Sequence, residues 1–271
     1  MTAFRTPGDV LLRVSLEGGE VSVETADDRS VEIELVPMRD NDVTRQAIDE
    51  ARVEMVPRGG GHEVIVELRR KSGLLIGRGP RVGVRIRCPH GSDLGLRASS
   101  ADLHATGALG AVDVKTASGD VSLERAARLH VDTASGDVRA RDVDGATELR
   151  TASGDVMLRR SGGPLTANLV SGDLAVDEAA AGLEVTTVSG DVQVRAAGGG
   201  ALRVQSVSGD VDLAVKPGLS LYVDASSVSG TMTSELGLDD APPAGPEGEV
   251  HELRVRTISG DLRIARAVAG S

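Results

Sequence analysis

The sequence contains almost no aromatic residues. Among 271 residues there is no tryptophan, one phenylalanine (Phe4) and one tyrosine (Tyr222). A hydrophobic core therefore has to be built from valine, leucine, isoleucine and alanine, which suits thin, stacked layers of short aliphatic side chains. The same shortage removes the aromatic platforms on which proteins commonly stack nucleobases, and it leaves none for sugars.

Cysteine, long apolar runs and net positive charge are also missing. Cys88 is the only cysteine, so an intramolecular disulfide is impossible, which fits a reducing compartment. No run of about 18 apolar residues occurs, and the N-terminal residues lack the pattern of a secretory signal. We expect a protein without a membrane span, located in the cytoplasm, with a surface location only by an unrecognised export route. A net charge of -11 argues against a nucleic-acid partner.

Glycine is abundant, with 34 residues, and much of it belongs to a repeat. The letters TASGDV stand at 116–121, 133–138 and 151–156, and near-copies follow. The repeat serines are separated by 18, 17, 18, 18, 18, 19, 21 and 30 residues. A near-constant period predicts a solenoid in which each coil covers the next. These serines are Ser100, Ser118, Ser135, Ser153, Ser171, Ser189, Ser208, Ser229 and Ser259.

Hydrophobic parity predicts the structure of one coil. Val112 and Val114 lie at even offsets before Ser118, whereas Val121 and Leu123 lie at odd offsets after it. Alternation on each side indicates two β-strands, and the change of phase indicates a bend between them. Glycine permits this corner, while serine and aspartate can hydrogen-bond its backbone. The predicted corner residues are Ser118, Gly119, Asp120, Ser135, Gly136, Asp137, Ser153, Gly154, Asp155, Ser171, Gly172, Asp173, Ser189, Gly190, Asp191, Ser208, Gly209, Asp210, Ser259, Gly260 and Asp261.

These patterns predict an all-β fold, a single-chain parallel β-solenoid (β-helix) of about nine coils with a period near 18. Residues 1–93 form a β-rich N-terminal or capping region with one short helix within 41–53, and residues 94–271 form the solenoid repeats. The acidic, Pro/Gly-rich stretch 234–250 is predicted to be a surface loop inserted into the penultimate coil. Threonines two residues before the repeat serines are expected to hydrogen-bond between coils.

The corner aspartates are expected to line one edge, with Thr231 interrupting the row. Neighbouring carboxylates about 4.8 Å apart repel, so something has to offset the repulsion. Calcium between coils is one possibility, but calcium-binding rolls place an aspartate every nine residues. Here one such turn occurs per 18 residues. We favour carboxylates that cap the backbone of their own turn, and we expect no metal and no cofactor.

The residue before each repeat serine changes from alanine to larger apolar side chains along the chain. By parity this row points away from the buried row and would form an outward apolar stripe, a candidate surface for a protein partner or self-association. Parity is unreliable at a corner, so we favour corner side chains that turn inward or are covered by the inserted loop. The stripe residues are Val170, Val188, Val207, Val228 and Ile258.

Positive charge is concentrated in residues 69–87, RRKSGLLIGRGPRVGVRIR. The segment lacks the spacing of a phosphate-binding loop. Arg85 and Arg87 are expected to pair with Glu32 and Glu34 across two strands, and contact with an anionic polymer is the alternative.

Catalytic chemistry has little support in the sequence. The five histidines occupy unrelated repeat positions, no G-x-S-x-G motif is present, and no histidine recurs near the repeat serines. We therefore predict no catalytic residues and no enzyme. A polysaccharide lyase or hydrolase on a β-helix is the least favoured alternative.

The repeats TASGDV, LVSGDL, TVSGDV, SVSGDV and TISGDL resemble those of a bacterial family of "putative adhesins" of unknown function. The resemblance also includes the opening TPGDVLLRVSLEGGEVSVE and the junction VRIRCPHGSDLGLRASS. It implies a β-solenoid, wound right-handed, and no catalytic residues. We predict a non-enzymatic scaffold or protein-interaction module that is adhesin-like. A cell-surface adhesin and a self-assembling filament similar to bactofilins are the alternatives.

Overall fold

The structure of the protein is a computed structural model that describes residues 1–68, 79–236 and 250–267. The chain divides into two compact units, Met1–Ala140 (the N-terminal unit) and Arg141–Ser271 (the C-terminal unit). Residues 69–78 of the basic segment and residues 237–249 of the predicted loop lie outside the described residues. Nineteen β-strands and one short α-helix are found in the described part of the chain.

The elements of the N-terminal unit are mostly strands with alternating buried and outward residues. In chain order they are β1 (Thr2–Arg5), β2 (Val10–Ala26), β3 (Ser30–Pro37), α1 (Asp42–Asp49), β4 (Arg52–Arg58), β5 (Gly61–Glu67), β6 (Val82–Pro89), β7 (Asp93–Ser118), β8 (Val121–Ser135) and the start of β9 (Val138–Val143).

Strand β2 shows how one coil is formed. Leu12 and Val14 are fully buried before a bend at Gly18 and Gly19, and Val21 and Val23 are buried after it. Both halves of β2 pair in parallel with β7, in register. We call such a pair of strands, one before a corner and one after it, a level. In-register stacking of levels puts like side chains above one another, so aliphatic residues of similar size fill the core.

Chain order differs from spatial order in the N-terminal unit. Strand β2 lies between β7 on one side and the level formed by β5 and β6 on the other. Two antiparallel strands then cover that outer level, because β4 pairs with β5 and β3 pairs with β6. Strand β1 pairs antiparallel with β3. Helix α1 confirms the predicted short helix, and its N-cap Asn41 accepts a 2.8 Å hydrogen bond from the Thr44 amide.

The C-terminal unit continues from β9 with strands alone in its described residues. These strands are β10 (Thr147–Ser153), β11 (Val156–Ser161), β12 (Leu165–Ser171), β13 (Leu174–Ser189), β14 (Val192–Ser208), β15 (Val211–Val215), β16 (Ser220–Ser229), β17 (Met232–Ser234), β18 (Val250–Ser259) and β19 (Leu262–Arg266).

The levels of the C-terminal unit are parallel and in register, but the last two exchange places. Before the corner the strands follow the order β10, β12, β13, β14, β18, β16. After the corner the order is β11, β13, β14, β15, β19, β17. A stack that followed the chain would place β16 on β14. Instead β18 and β19 occupy that place, and β16 with β17 forms the last level.

The core is aliphatic, as the composition predicts. Among the described residues the largest fully buried side chains are eleven leucines and Ile33. Burying one such side chain contributes about 1.5–3 kcal/mol relative to leaving it exposed. The prediction of an all-β, solenoid-like fold with one short helix is therefore confirmed.

Candidate interaction surface

Each corner has room only for glycine. Gly172 has φ 113°, and a Cβ built there would lie 2.2 Å from the carbonyl oxygen of Gly154 in the neighbouring level. A real Cβ does not approach an oxygen so closely, so any side chain would force the levels apart. The predicted corner glycines share φ values between 113° and 135°; they are Gly119, Gly136, Gly154, Gly172, Gly190, Gly209 and Gly260.

The corner serines stack on one another. Ser118 is in register with Ser135 in the N-terminal unit. In the C-terminal unit the spatial order is Ser153, Ser171, Ser189, Ser208, Ser259 and then Ser229.

The corner aspartates connect levels through the backbone. In the N-terminal unit the Asp102 carboxylate accepts from the Asp120 amide at 3.0 Å, and Asp120 accepts from the Asp137 amide at 2.9 Å. The C-terminal unit repeats the contact at 2.7–3.0 Å along the series Asp155, Asp173, Asp191, Asp210, Asp261 and Thr231. The prediction that each carboxylate caps the backbone of its own turn is wrong for these aspartates. Each carboxylate instead accepts a hydrogen bond from a backbone amide of the next level. These bonds offset the repulsion between neighbouring carboxylates.

Thr231 is the end of this ladder rather than an interruption. Its amide donates to the Asp261 carboxylate at 2.7 Å. Its level is the last of the unit, since β17 pairs with β19. A carboxylate is needed only where a further level supplies an amide, and no further level is found among the described residues. Sequence order could not reveal this, because Thr231 precedes Asp261 in the chain.

The threonines near the corners hydrogen-bond within their own level. Thr116 and Thr133 donate to the carbonyl groups of Ser118 and Ser135 at 2.8 and 3.1 Å. Thr187 and Thr257 make the same contact with Ser189 and Ser259. The prediction of bonds between coils is wrong for these four threonines. Ser227 does bond to a neighbouring level, donating to the Gly260 carbonyl at 3.2 Å.

The candidate apolar stripe lies in the C-terminal unit and its side chains are exposed, so the expectation that they turn inward or are covered is wrong for these five residues. The exposed fractions are 53% for Val170, 47% for Val188, 43% for Val207, 55% for Ile258 and 82% for Val228. The strand register places these residues in that order, with Ile258 between Val207 and Val228. Neighbours along the stripe are about 4.8 Å apart, the spacing of adjacent strands. In the N-terminal unit the same row holds only small side chains, Ala117 and Ala134.

Polar residues border the stripe on both sides. Two residues before each stripe position, on the same face, stand Asn168, Thr186, Gln205, Arg256 and Ser226. On the other side lie the corner serines and the exposed corner aspartates. A ridge of β-branched side chains with a polar rim has the composition of a small protein-binding patch.

One arrangement in the N-terminal unit superficially resembles a catalytic triad. The Thr25 hydroxyl lies 2.6 Å from His90 Nδ1, and His90 Nε2 lies 3.6 Å from an Asp27 carboxylate oxygen. Thr25 is 8% exposed, and its oxygen also accepts from the Ala108 amide at 2.9 Å. A nucleophile must reach its substrate, and this hydroxyl is buried. Sequence reasoning missed the cluster because His90, just after β6, is 65 residues along the chain from Thr25, which lies with Asp27 at the end of β2.

A second polar face of the N-terminal unit is formed by β3 and β6. Arg85 lies 3.3 Å from Glu34, and Glu32 faces Arg87 in the antiparallel register, so the predicted Arg85–Glu34 pair is confirmed. A cavity of about 330 Å³ lies on this face. In its wall the glutamates of β3 face the arginines of β6, which is typical of a structural ion-paired surface.

Within residues 1–68, 79–236 and 250–267, no group of three or more His, Cys, Asp or Glu side chains is arranged to hold a metal ion. No helix there is long and apolar enough to span a bilayer.

Stacked parallel levels with repeated glycine corners define an all-β repeat protein, and the family comparison agrees. The model of the Toastrack family of unknown function, DUF4097, matches residues 11–265, so the chain belongs to that family. A search of curated proteins found no match.

Among solved structures, three bacterial proteins cover nearly the whole chain at low identity. A "putative cell adhesion protein" from Clostridium sporogenes is 8% identical, covering 95% of this chain and 92% of its own, with a TM-score of 0.24. A "putative adhesin" from Bacteroides fragilis is 9% identical, covering 97% and 95%, with a TM-score of 0.32. Another from Parabacteroides distasonis is 10% identical, covering 97% and 96%, with a TM-score of 0.37. TM-scores this low do not support a transfer of function.

Proposed function

We propose that the protein is a non-enzymatic, adhesin-like interaction module that binds a protein partner through the apolar stripe. The observation that carries the proposal is the continuous row of five exposed β-branched side chains, 43–82% exposed, at one corner of successive levels. Soluble proteins expose single apolar residues routinely, whereas contiguous exposed patches mark contact sites.

The rigidity of the corner suits such a role. The glycine close approach and the carboxylate–amide contacts hold each stripe residue to its neighbours. A partner therefore meets a preformed ridge and little conformational entropy is lost on binding. Valine and isoleucine add to this because their side chains have few rotamers.

A triple variant tests the proposal. Val170→Thr, Val188→Thr and Val207→Thr keep the β-branched shape but make the ridge polar, and exposed substitutions of this kind change stability by at most about 0.5 kcal/mol each. The control triple is Met38→Thr, Val43→Thr and Met157→Thr, which alters side chains of similar exposure, 48%, 40% and 49%, away from the stripe.

The readout is cross-linking of the module to its partners inside cells, followed by purification of the module and identification of the cross-linked proteins by mass spectrometry. We expect at least one protein to be cross-linked by the wild type and the control triple and lost with the stripe triple. Identical cross-linking profiles for all three proteins would contradict the proposal.

We also propose a β-solenoid of about nine coils, wound right-handed, with residues 1–93 as the capping region and 94–271 as the repeats. The parallel in-register levels within each unit support it.

The cytoplasmic location stays a prediction. Cell fractionation with protease shaving of intact cells tests it. Protein that is intracellular and resistant to shaving would agree with the prediction, and surface-exposed protein would favour the adhesin alternative.

A further inference from the structure

The last level of the C-terminal unit leaves part of its core side open. Met232 and Leu262 are in register on neighbouring strands. Leu262 is 1% exposed, whereas Met232 is 54% exposed. Likewise Val223 is half-buried, while its register partner Leu253 is completely buried. Side chains that every inner level hides are accessible here.

The backbone of this level is also open on one side. In the described residues β16 pairs only with β18, and β17 only with β19. A free edge exposes N–H and C=O groups to pairing, and proteins commonly protect such edges with lysine or proline. Strand β16 has neither. Its one charged residue, Asp224, is held by Arg254 at 3.3 Å and Arg256 at 3.6 Å.

A parallel continuation of the stack does not fit this end. In the C-terminal unit each corner aspartate from Asp155 to Asp261 offers a carboxylate to the amide of the next level, as Asp210 does for Asp261 at 2.8 Å. Thr231 offers none. In addition, the outer level of the N-terminal unit is covered by antiparallel β3 and β4. In a head-to-tail contact the last level of one copy's C-terminal unit, which offers no carboxylate, would meet a level of the other copy's N-terminal unit that β3 and β4 already cover.

Antiparallel pairing with an identical edge has neither problem. We propose that a second copy of this chain docks on the last level, β16 against β16, in a closed two-fold dimer. Two-fold symmetry brings the same edge from both sides, so the half-open apolar groups of this level, Met232 and Val223 on the core side and Tyr222 on the outer side, are covered by residues of the partner copy's last level. Antiparallel strands pair without the corner contact that a stacked level requires.

Charge sets the conditions under which the dimer forms. Each copy has a net charge of -11, so two copies repel at long range. Salt screens that repulsion while the strand pairing and apolar contact persist. Dimerisation is therefore expected to strengthen as salt rises, unlike association through exposed ion pairs.

Sedimentation velocity over a range of protein concentration tests the dimer on the full chain. The wild type is expected to sediment as a monomer–dimer mixture with no larger species. Met232→Lys combined with Tyr222→Lys places two charges at the edge, at positions 54% and 63% exposed, and is expected to raise the dimer dissociation constant at least ten-fold. Met157→Lys is the matched control, because Met157 is 49% exposed and lies on an inner level.

Hydrogen exchange provides a second readout. The amides of β16 are expected to exchange more slowly in concentrated than in dilute wild-type protein, with no such difference in the Lys double variant. A monomer at all concentrations, a species that grows without limit, or a dimer that the double variant leaves intact would each overturn the proposal.

The stripe and the edge are separable. The triple Val170→Thr, Val188→Thr, Val207→Thr is expected to leave the dimer unchanged, because those residues are on inner levels. A dimer that this triple dissociates while the Lys double variant does not would place the contact on the stripe and overturn the edge proposal.

Discussion

The two units differ in whether further strands cover their outermost level. In the N-terminal unit antiparallel β3 and β4 cover the last parallel level, and the core residues Val64 and Val84 beneath them are fully buried. In the C-terminal unit β16 and β17 form the last level without a cap in the described residues, and Met232 is 54% exposed. An inward-facing side chain is therefore buried in the covered level of the N-terminal unit but exposed in the last level of the C-terminal unit.

This difference shows where the stability of a stacked fold comes from. An inward side chain is buried by the levels on both sides of it, and the sequence pattern of its own strand is the same in either case. Truncating a side chain in an inner level should therefore lower the free energy of unfolding much more than truncating one in the last level, formed by β16 and β17.

The largest effect is expected at Leu262, which stacks on Met232. Leu262→Ala opens a cavity in the core and is expected to lower the free energy of unfolding by about 2–5 kcal/mol. Met232→Ala is expected to lower it by less than about 1 kcal/mol, since the side chain is half in water. Denaturant unfolding of both variants at a protein concentration below dimer formation measures this. Equal losses would contradict the difference between inner and open levels.

The thiol of Cys88 provides a comparison at the capped end. Cys88 is fully buried, and burial raises the pKa of its thiol from 9.0 to about 11. At pH 8 the thiolate fraction is therefore about 100-fold lower than for a thiol of ordinary pKa. Iodoacetamide is expected to label Cys88 at least that much more slowly than a cysteine introduced by Met232→Cys. Comparable rates would show that the capped end opens readily.

The same pKa shift has a consequence for stability at high pH. The folded pKa is higher than the unfolded one, so the neutral thiol's contribution is present in full below pH about 9. It is lost as the pH rises from 9 toward 11. Cys88→Ser is the control for this part of an alkaline unfolding curve.

A smaller effect is expected in the carboxylate ladder. Asp191→Ala removes the acceptor 2.8 Å from the Asp210 amide and is expected to cost about 1–2 kcal/mol. Asp191→Asn keeps an acceptor and is expected to cost less. Thr231→Ala in the open level is expected to change stability by less than about 0.5 kcal/mol, because its side chain has no level to support. A Thr231→Ala loss as large as that of Asp191→Ala would show that the ladder continues beyond Thr231.

A loss of stability smaller than that of Asp191→Ala is expected at the N-cap of helix α1. Asn41→Ala removes the hydrogen bond to the Thr44 amide at the start of α1 and is expected to cost about 1 kcal/mol. Asn41→Ser is the matched control because serine caps about as well. Thermal unfolding of the two variants distinguishes them, and an equal loss would mean that the cap hydrogen bond contributes nothing.

Much of the fold could be predicted from local patterns. Parity located the strand faces, since Val112 and Val114 before Ser118 and Val121 and Leu123 after it are all buried. The short helix was predictable from its Asn41 cap. These features depend on residues that are close in the chain, which is why a sequence can encode them visibly.

The order in which the levels stack was harder to predict. Parallel levels with similar sequences can stack in more than one order, and nothing in TISGDL shows that it lies between SVSGDV and SVSGTM. The carboxylate contacts depend on the same information, because Asp191 bonds an amide 19 positions away. For the stripe, parity predicted outward side chains, but not that Ile258 precedes Val228 in space.

Disulfide trapping tests the order of the levels most directly. In the structure Val207 and Ile258 lie on adjacent strands, about 4.8 Å apart, whereas Val207 and Val228 are two strands apart, beyond the reach of a disulfide. Val207→Cys with Ile258→Cys is expected to form an intramolecular disulfide under mild oxidation, and Val207→Cys with Val228→Cys is not. A disulfide in the second pair and none in the first would mean that the levels follow chain order and that the open level is not formed by β16 and β17.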